Sequence, residues 1–180
     1  MDPQSLIYPS QDAIYTVKQA LSEAPPPVEW RVVERAADTR DRFQILLDDD
    51  RTVQVAPDPD PRYYTPGGTV SLIDVLFYFP RRVITGEHAL DLVHRFTDKL
   101  NWNMIAGRAL VDNDQDLAPH GSVWLKHIVD LRGGVTPSFL TAQVDAFIAS
   151  MDIVRRLHEA DPESPLEEGP WLGREPRSRP

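Results

Sequence analysis

Asp112, Asp114 and Asp116 in the stretch VDNDQD stand at the first three oxygen-ligand positions of an EF-hand loop. Leu117 occupies the place that needs glycine for the sharp turn, and Val123 the place of the bidentate glutamate. The loop cannot close around a calcium ion and reads as a solvated hairpin turn, as does the DDDR run from Asp48 to Arg51. The histidines offer no better metal clasp. His88 and His94 share a helical stretch at a spacing that misses the i, i+4 arrangement, with Asp91 between them as a helix-surface partner. His120 and Ser122 lie close in sequence, but no G-x-S-x-G elbow accompanies them, and neither a Walker A nor a Rossmann glycine pattern occurs. With no cysteine in the chain, thiol catalysis, disulfides and cysteine-ligated metal are excluded. No catalytic residue, cofactor or metal is expected.

Charge narrows the partners. A net charge of −9, from 28 acidic against 19 basic residues, opposes direct nucleic-acid binding, which needs a basic surface to neutralise phosphates. It favours a basic partner. Only Lys18, Lys99 and Lys126 are lysines, the other basic residues being arginine. No apolar run approaches the roughly 18 residues of a membrane span, and MDPQSLIYPS has neither a basic n-region nor a long apolar stretch. A cytoplasmic protein with no membrane partner is expected.

Any such surface must be positioned by the elements between the prolines. Twelve of the 17 prolines fall in three segments: Pro25 to Pro27, Pro57 to Pro66, and the tail after Asp161. Proline breaks helices and cannot donate to a central strand, so these are a connector, a long loop and a tail. The first helix is expected over residues 11–24, with Ser10 as cap and Ile14, Val17 and Leu21 on one face. VEWRVVERA alternates as a half-buried strand. DRFQILL and RTVQVA flank the DDD turn as a hairpin. TVSLIDVLFYF is apolar on both faces over much of its length and should be a central strand covered on both sides. A second helix, capped by Thr85, carries Leu90, Val93, Phe96 and Leu100 on one face. MIAGRALV and SVWLKHIVDLR then read as two strands, stopped by Gly133 and Gly134. Thr136 and Pro137 open the last helix, where Leu140, Val144, Phe147, Met151 and Val154 mark one face. The order is helix, three strands with room for an extra short one, helix, two strands, helix. This is an α+β fold with a mostly antiparallel sheet and helices packed on it.

KLNWNMIAGRALVD, GSVWLKHIVDLRGGVT and the long closing helix together resemble the YbjN family of bacterial proteins, whose fold is similar to the class I chaperones of type III secretion. The motifs that carry the likeness are Asn101 after the helix, Gly107 in the following strand, the strand with Trp124 and Leu125, and Gly133–Gly134 before Thr136. They cover roughly Val70 to Ala160, and the element order extends the likeness to about residue 11. The proline-rich Pro57–Pro66 insertion and the tail depart from the pattern. The expected organisation is one domain over residues 1–160 followed by a disordered Pro-rich tail over 161–180. Asn101 is expected to end the helix in a left-handed conformation, and Gly107 to permit close backbone approach to the sheet. The resemblance implies a small acidic homodimer that holds another protein by strand addition or a helix in a groove and hydrolyses nothing.

The candidate contact residues follow. Trp30, Trp102 and Trp124 lie on or beside the strands and the junction. Core packing is their ordinary role, and their enrichment at interface hot spots makes them candidates for a dimer seam or client groove. Trp171 in GPWLGR belongs to an apolar pair in the tail that could dock on a surface. Asp145, Asp152 and Glu159 recur every seven residues along the last helix, as a solvated face or as an acidic rail for a basic client. The expected function is therefore a non-enzymatic adaptor or chaperone-like homodimer, with a basic nucleic-acid-handling factor as the partner that charge favours. The competing expectation is a small-ligand sensor, or an enzyme without linear motifs, with a pocket on the sheet.

Overall fold

In the computed structural model, residues 5–8, 12–25, 28–33, 42–47, 51–57, 75–82, 89–112 and 122–166 are described. Their element order is α1 (Ala13–Ser22), β1 (Trp30–Val33), β2 (Phe43–Leu47), β3 (Thr52–Pro57), β4 (Val75–Arg82), α2 (Ala89–Asn103), β5 (Arg108–Asp112), β6 (Ser122–Val129) and α3 (Pro137–Ala160). The α+β class and the order of elements match expectation, and the extra strand is real. α1 starts at Ala13 with Asp12 in place of the expected Ser10 at its N-cap; the expected cap Thr85, the DDD turn, the side chains of β4 and most of the proline-rich loop lie outside the described residues.

The six strands form one sheet in the order β1-β2-β3-β4-β6-β5. Every pairing is antiparallel. β4 and β5 both pair with β6 and so run parallel to each other, which obliges the connection between them to cross from the middle of the sheet to its edge. α2 makes that crossing and packs on β5.

The alternating patterns decide which face is covered. Phe43, Ile45, Leu47, Val53, Val55, Ala109, Val123, Leu125 and Val129 are buried in one core with the apolar faces of the helices. Their neighbours Gln44, Leu46, Gln54, Trp124 and Lys126 are half-buried, and Arg31, Arg108, Leu110 and Ile128 are exposed. All three helices therefore lie on one side of the sheet, so β4 is central as expected but is not covered by helices on both sides. α3 supplies the deepest contribution, with Leu140, Val144, Phe147, Met151 and Val154 buried as the spacing predicts. Each such side chain contributes about 2 kcal/mol of transfer free energy. Thr136 caps this helix, its Oγ1 accepting from the Phe139 amide at 3.2 Å, and Pro137 sits where a missing N–H costs nothing.

The N-terminal residues pack within the expected domain, while packing at the other end runs past its expected boundary. Residues 5–8 are tied in by an Ile7–Val135 bridge with amide-to-carbonyl distances of 2.8 and 3.0 Å. At the other end, packing continues beyond residue 160: Lys99 binds Asp161 at 2.7 Å, and Leu166 is 1% exposed. Leucine is apolar enough to join the core even between prolines, so the first residues of the proposed tail belong to the packed domain.

Candidate functional site

The junction between α2 and β5, LNWNMIAGRALV, is held by three polar devices. α2 runs through Asn101 to Asn103, which corrects the expectation that Asn101 ends the helix in a left-handed conformation. The Asn101 carboxamide instead reaches Ala109. Its Nδ2 donates to the Ala109 carbonyl at 3.0 Å, and its Oδ1 accepts the Ala109 amide at 2.7 Å. A primary amide carries one acceptor and two donors, so it can stand in for the backbone of an absent neighbouring strand. β5 is an edge strand, and this contact closes its edge at Ala109 to strand addition.

Ser150 is the second device. It lies on the buried face of α3 with no exposure, and its Oγ accepts the amides of Ile105 at 3.1 Å and Ala106 at 2.9 Å while donating to the Ala146 carbonyl at 3.0 Å. Gly107 is the third. Its φ of +77° is one that residues with a Cβ rarely adopt, and a Cβ there would collide with the Lys126 carbonyl oxygen. As expected, Gly107 permits close approach to the sheet, though it precedes β5 instead of lying within it.

Two large apolar side chains point outward here, Trp102 from the last turn of α2 and Ile105 from the turn itself. Trp102 is 89% exposed and Ile105 67% exposed, while Met104 between them packs against the core. Trp102 and Ile105 are thus two exposed large apolar side chains three residues apart in sequence.

The other expected residues have different fates. Trp30 is buried at 5% exposure, and its Nε1 donates to Asp145 Oδ1 at 2.8 Å, so the two act together to bind β1 to α3. Asp152 meets the buried Arg51 at 2.8 Å and Arg155 at 3.5 Å. Two acids of the expected rail thus serve the fold, and Glu159 remains exposed. Trp124 is half-buried under the Lys126 ammonium, 5.7 Å from its ring centroid. Trp171, Asp114, Asp116, His88 and His120 lie outside the described residues. Ile105 and Ser150 were not legible as site residues. A hydroxyl at position 150 between Phe147 and Met151, on an otherwise apolar helix face, is the signal that could have found the latter.

Residues 31–156, from β1 into the C-terminal part of α3, match the YbjN family, described as "Putative bacterial sensory transduction regulator". The chain belongs to the YbjN family. No curated protein matches it. In this YbjN chain, no group of three or more His, Asp or Glu among the described residues could hold a metal ion, and no described helix is long and apolar enough to cross a membrane. One open pocket of about 120 Å³ lies between α2 and the segment after α3, lined by Leu92, Arg95, Phe96, Lys99, Asp161 and Glu163. It is well below the roughly 300 Å³ of ordinary small-molecule sites and does not lie on the sheet. Its Asp161 is held below the usual carboxylate range by its hydrogen bond from Lys99.

His127 faces the core from β6, stacked on Phe147 at 6.2 Å between ring centroids and 2.6 Å from Gln143 Oε1. Burial lowers its pKa from 6.5, opposed in part by the Gln143 hydrogen bond. The folded state therefore binds this proton more weakly than the unfolded chain. The stabilisation is complete above the unfolded value and is lost as pH falls through the folded one. Urea unfolding between about pH 7.5 and about pH 5.5 is expected to show stability falling in the wild type and a flatter profile in His127→Phe. Equal slopes would mean that His127 is not the group responsible.

Proposed function

We propose that this protein is a non-enzymatic, protein-binding adaptor of sensory regulation that acts in the cytoplasm as a homodimer, with a fold akin to the class I chaperones of type III secretion. The observation that carries the reading is Trp102, 89% exposed in the last turn of α2, just before a turn whose backbone is bound by Asn101 and Ser150. Tryptophan leads interface hot spots because it buries a large rigid area at little entropic cost, and here the backbone that carries it is already helical. The family's description as a regulator supports a binding role. Because Asn101 occupies the β5 edge at Ala109, the partner surface meets side chains there instead of adding a strand.

Light scattering at micromolar concentration is the test. The native chain is expected at twice its 20.4 kDa mass, and Trp102→Ala at 20.4 kDa with an unchanged melting temperature. The side chain contributes little to the monomer's core, so its truncation is expected to move folding stability by no more than about 0.5 kcal/mol. A native mass of 20.4 kDa would overturn the dimer.

A further inference from the structure

We infer that the helix-free face of the sheet at its β5–β6 edge is a docking strip for an acidic, extended segment of a partner protein, with Arg108 and Lys126 receiving its carboxylates. Arg108 and Lys126 are direct cross-strand partners. Like charges in that position repel and weaken a sheet, so their pairing calls for an anion from elsewhere. The chain itself supplies none among the described residues, whose ion pairs use Arg51, Lys99, Arg132 and Arg155 instead. Asp130, further along the same face of β6, is bound to Arg132, whose amide and Nε donate to it at 2.8 and 2.7 Å. Two adjacent cations that no described acid neutralises are unusual on a protein of net charge −9.

The apolar residues around the pair refine the occupant. Along β6, Trp124, Lys126 and Ile128 alternate as apolar, cationic and apolar, and Leu110 stands opposite Trp124. Leu110 and Ile128 are 37% and 38% exposed. A strand repeats its side-chain direction every second residue, so an extended segment lying along β6 would match this strip with a carboxylate flanked two residues away on each side by apolar side chains. A short acidic segment fits better than nucleic acid. Screening confines its interaction to about 8 Å around the two cations, whereas a long polyanion meets the negative field of the whole chain. The inference rests on the adaptor reading and names what its partner carries, an acidic segment where net charge alone favours a basic partner.

The test is fluorescence anisotropy with a labelled synthetic peptide in which serines alternate with Ile, Glu, Leu, Asp and Val. The full chain is expected to bind it in preference to the same peptide with lysine for its acids, and added salt to weaken binding. Arg108→Glu/Lys126→Glu is expected to weaken it about tenfold or more, with the solution mass and melting temperature kept. Arg108→Gln/Lys126→Gln gives the same readout if charge reversal impairs folding. The strip is overturned by equal binding to both peptides, by unchanged binding in the variants, or by tighter binding of a single-stranded oligonucleotide than of the acidic peptide. The two readings fail separately: a native monomer sinks the dimer and leaves the strip standing, whereas a dimer indifferent to the peptide sinks the strip alone.

Discussion

Gly107→Ala is expected to lower the free energy of unfolding by about 4 kcal/mol, near the limit for a single methyl group. The left-handed backbone accounts for about 1–2 kcal/mol of this, since a Cβ at that φ meets its own chain. Overpacking adds about 1–3 kcal/mol, because the new methyl would meet the carbonyl of Lys126 and approach His127 Cβ to 3.1 Å. That carbonyl cannot retreat easily: β6 is bonded to β4 on one side and β5 on the other. Urea unfolding of the two proteins measures the difference. Gly133→Ala is the control, since its added methyl would find no atom within 4 Å, and its expected change is within about 0.5 kcal/mol. A loss below about 1 kcal/mol at Gly107 would mean that the turn relaxes, and the rigidity attributed to the junction would fall with it.

The second large effect is expected at Asp152, where alanine is predicted to cost about 3 kcal/mol. Arg51 is 5% exposed, and removing the Asp152 carboxylate takes an opposite charge from 2.8 Å beside its buried guanidinium. Asp152 is itself about one-third exposed, which places the loss at the lower end of the range for buried pairs. Arg51→Met in the same chain is expected to recover much of it, because the buried charge is then gone as well. Glu159→Ala should leave stability unchanged within about 0.5 kcal/mol. If Asp152 were chiefly part of an acidic rail, its removal would spare stability and reduce salt-sensitive association instead.

Asp145, Asp152 and Glu159 show where a one-dimensional pattern stops being informative. Their seven-residue spacing correctly places them along α3, but a stripe on a helix does not say what faces it. Trp30 and Arg51 come from β1 and the start of β3, more than 90 residues earlier, and convert two of the three acids into anchors. Trp102 illustrates the converse. Tryptophan is ordinarily core, but Trp102 lies within the last turn of α2, on the side away from the buried Val93, Phe96 and Leu100.

The elements and their buried faces are written locally in the chain. Period-two alternation in β1, β2, β3 and β6, the apolar face of α3, and Thr136–Pro137 at its start depend on neighbours a few residues away, and local physics suffices for them. Composition alone also excludes cysteine chemistry, and spacing alone shows that the acidic loop lacks the glycine and glutamate of a calcium site. Four features instead come from the folded arrangement: β5 lies at the sheet's edge, Asn101 closes that edge, Ser150 binds the turn from α3, and Arg108 faces Lys126. Each of these depends on strand order and register, which bring distant residues within a few ångströms and which no single segment encodes alone.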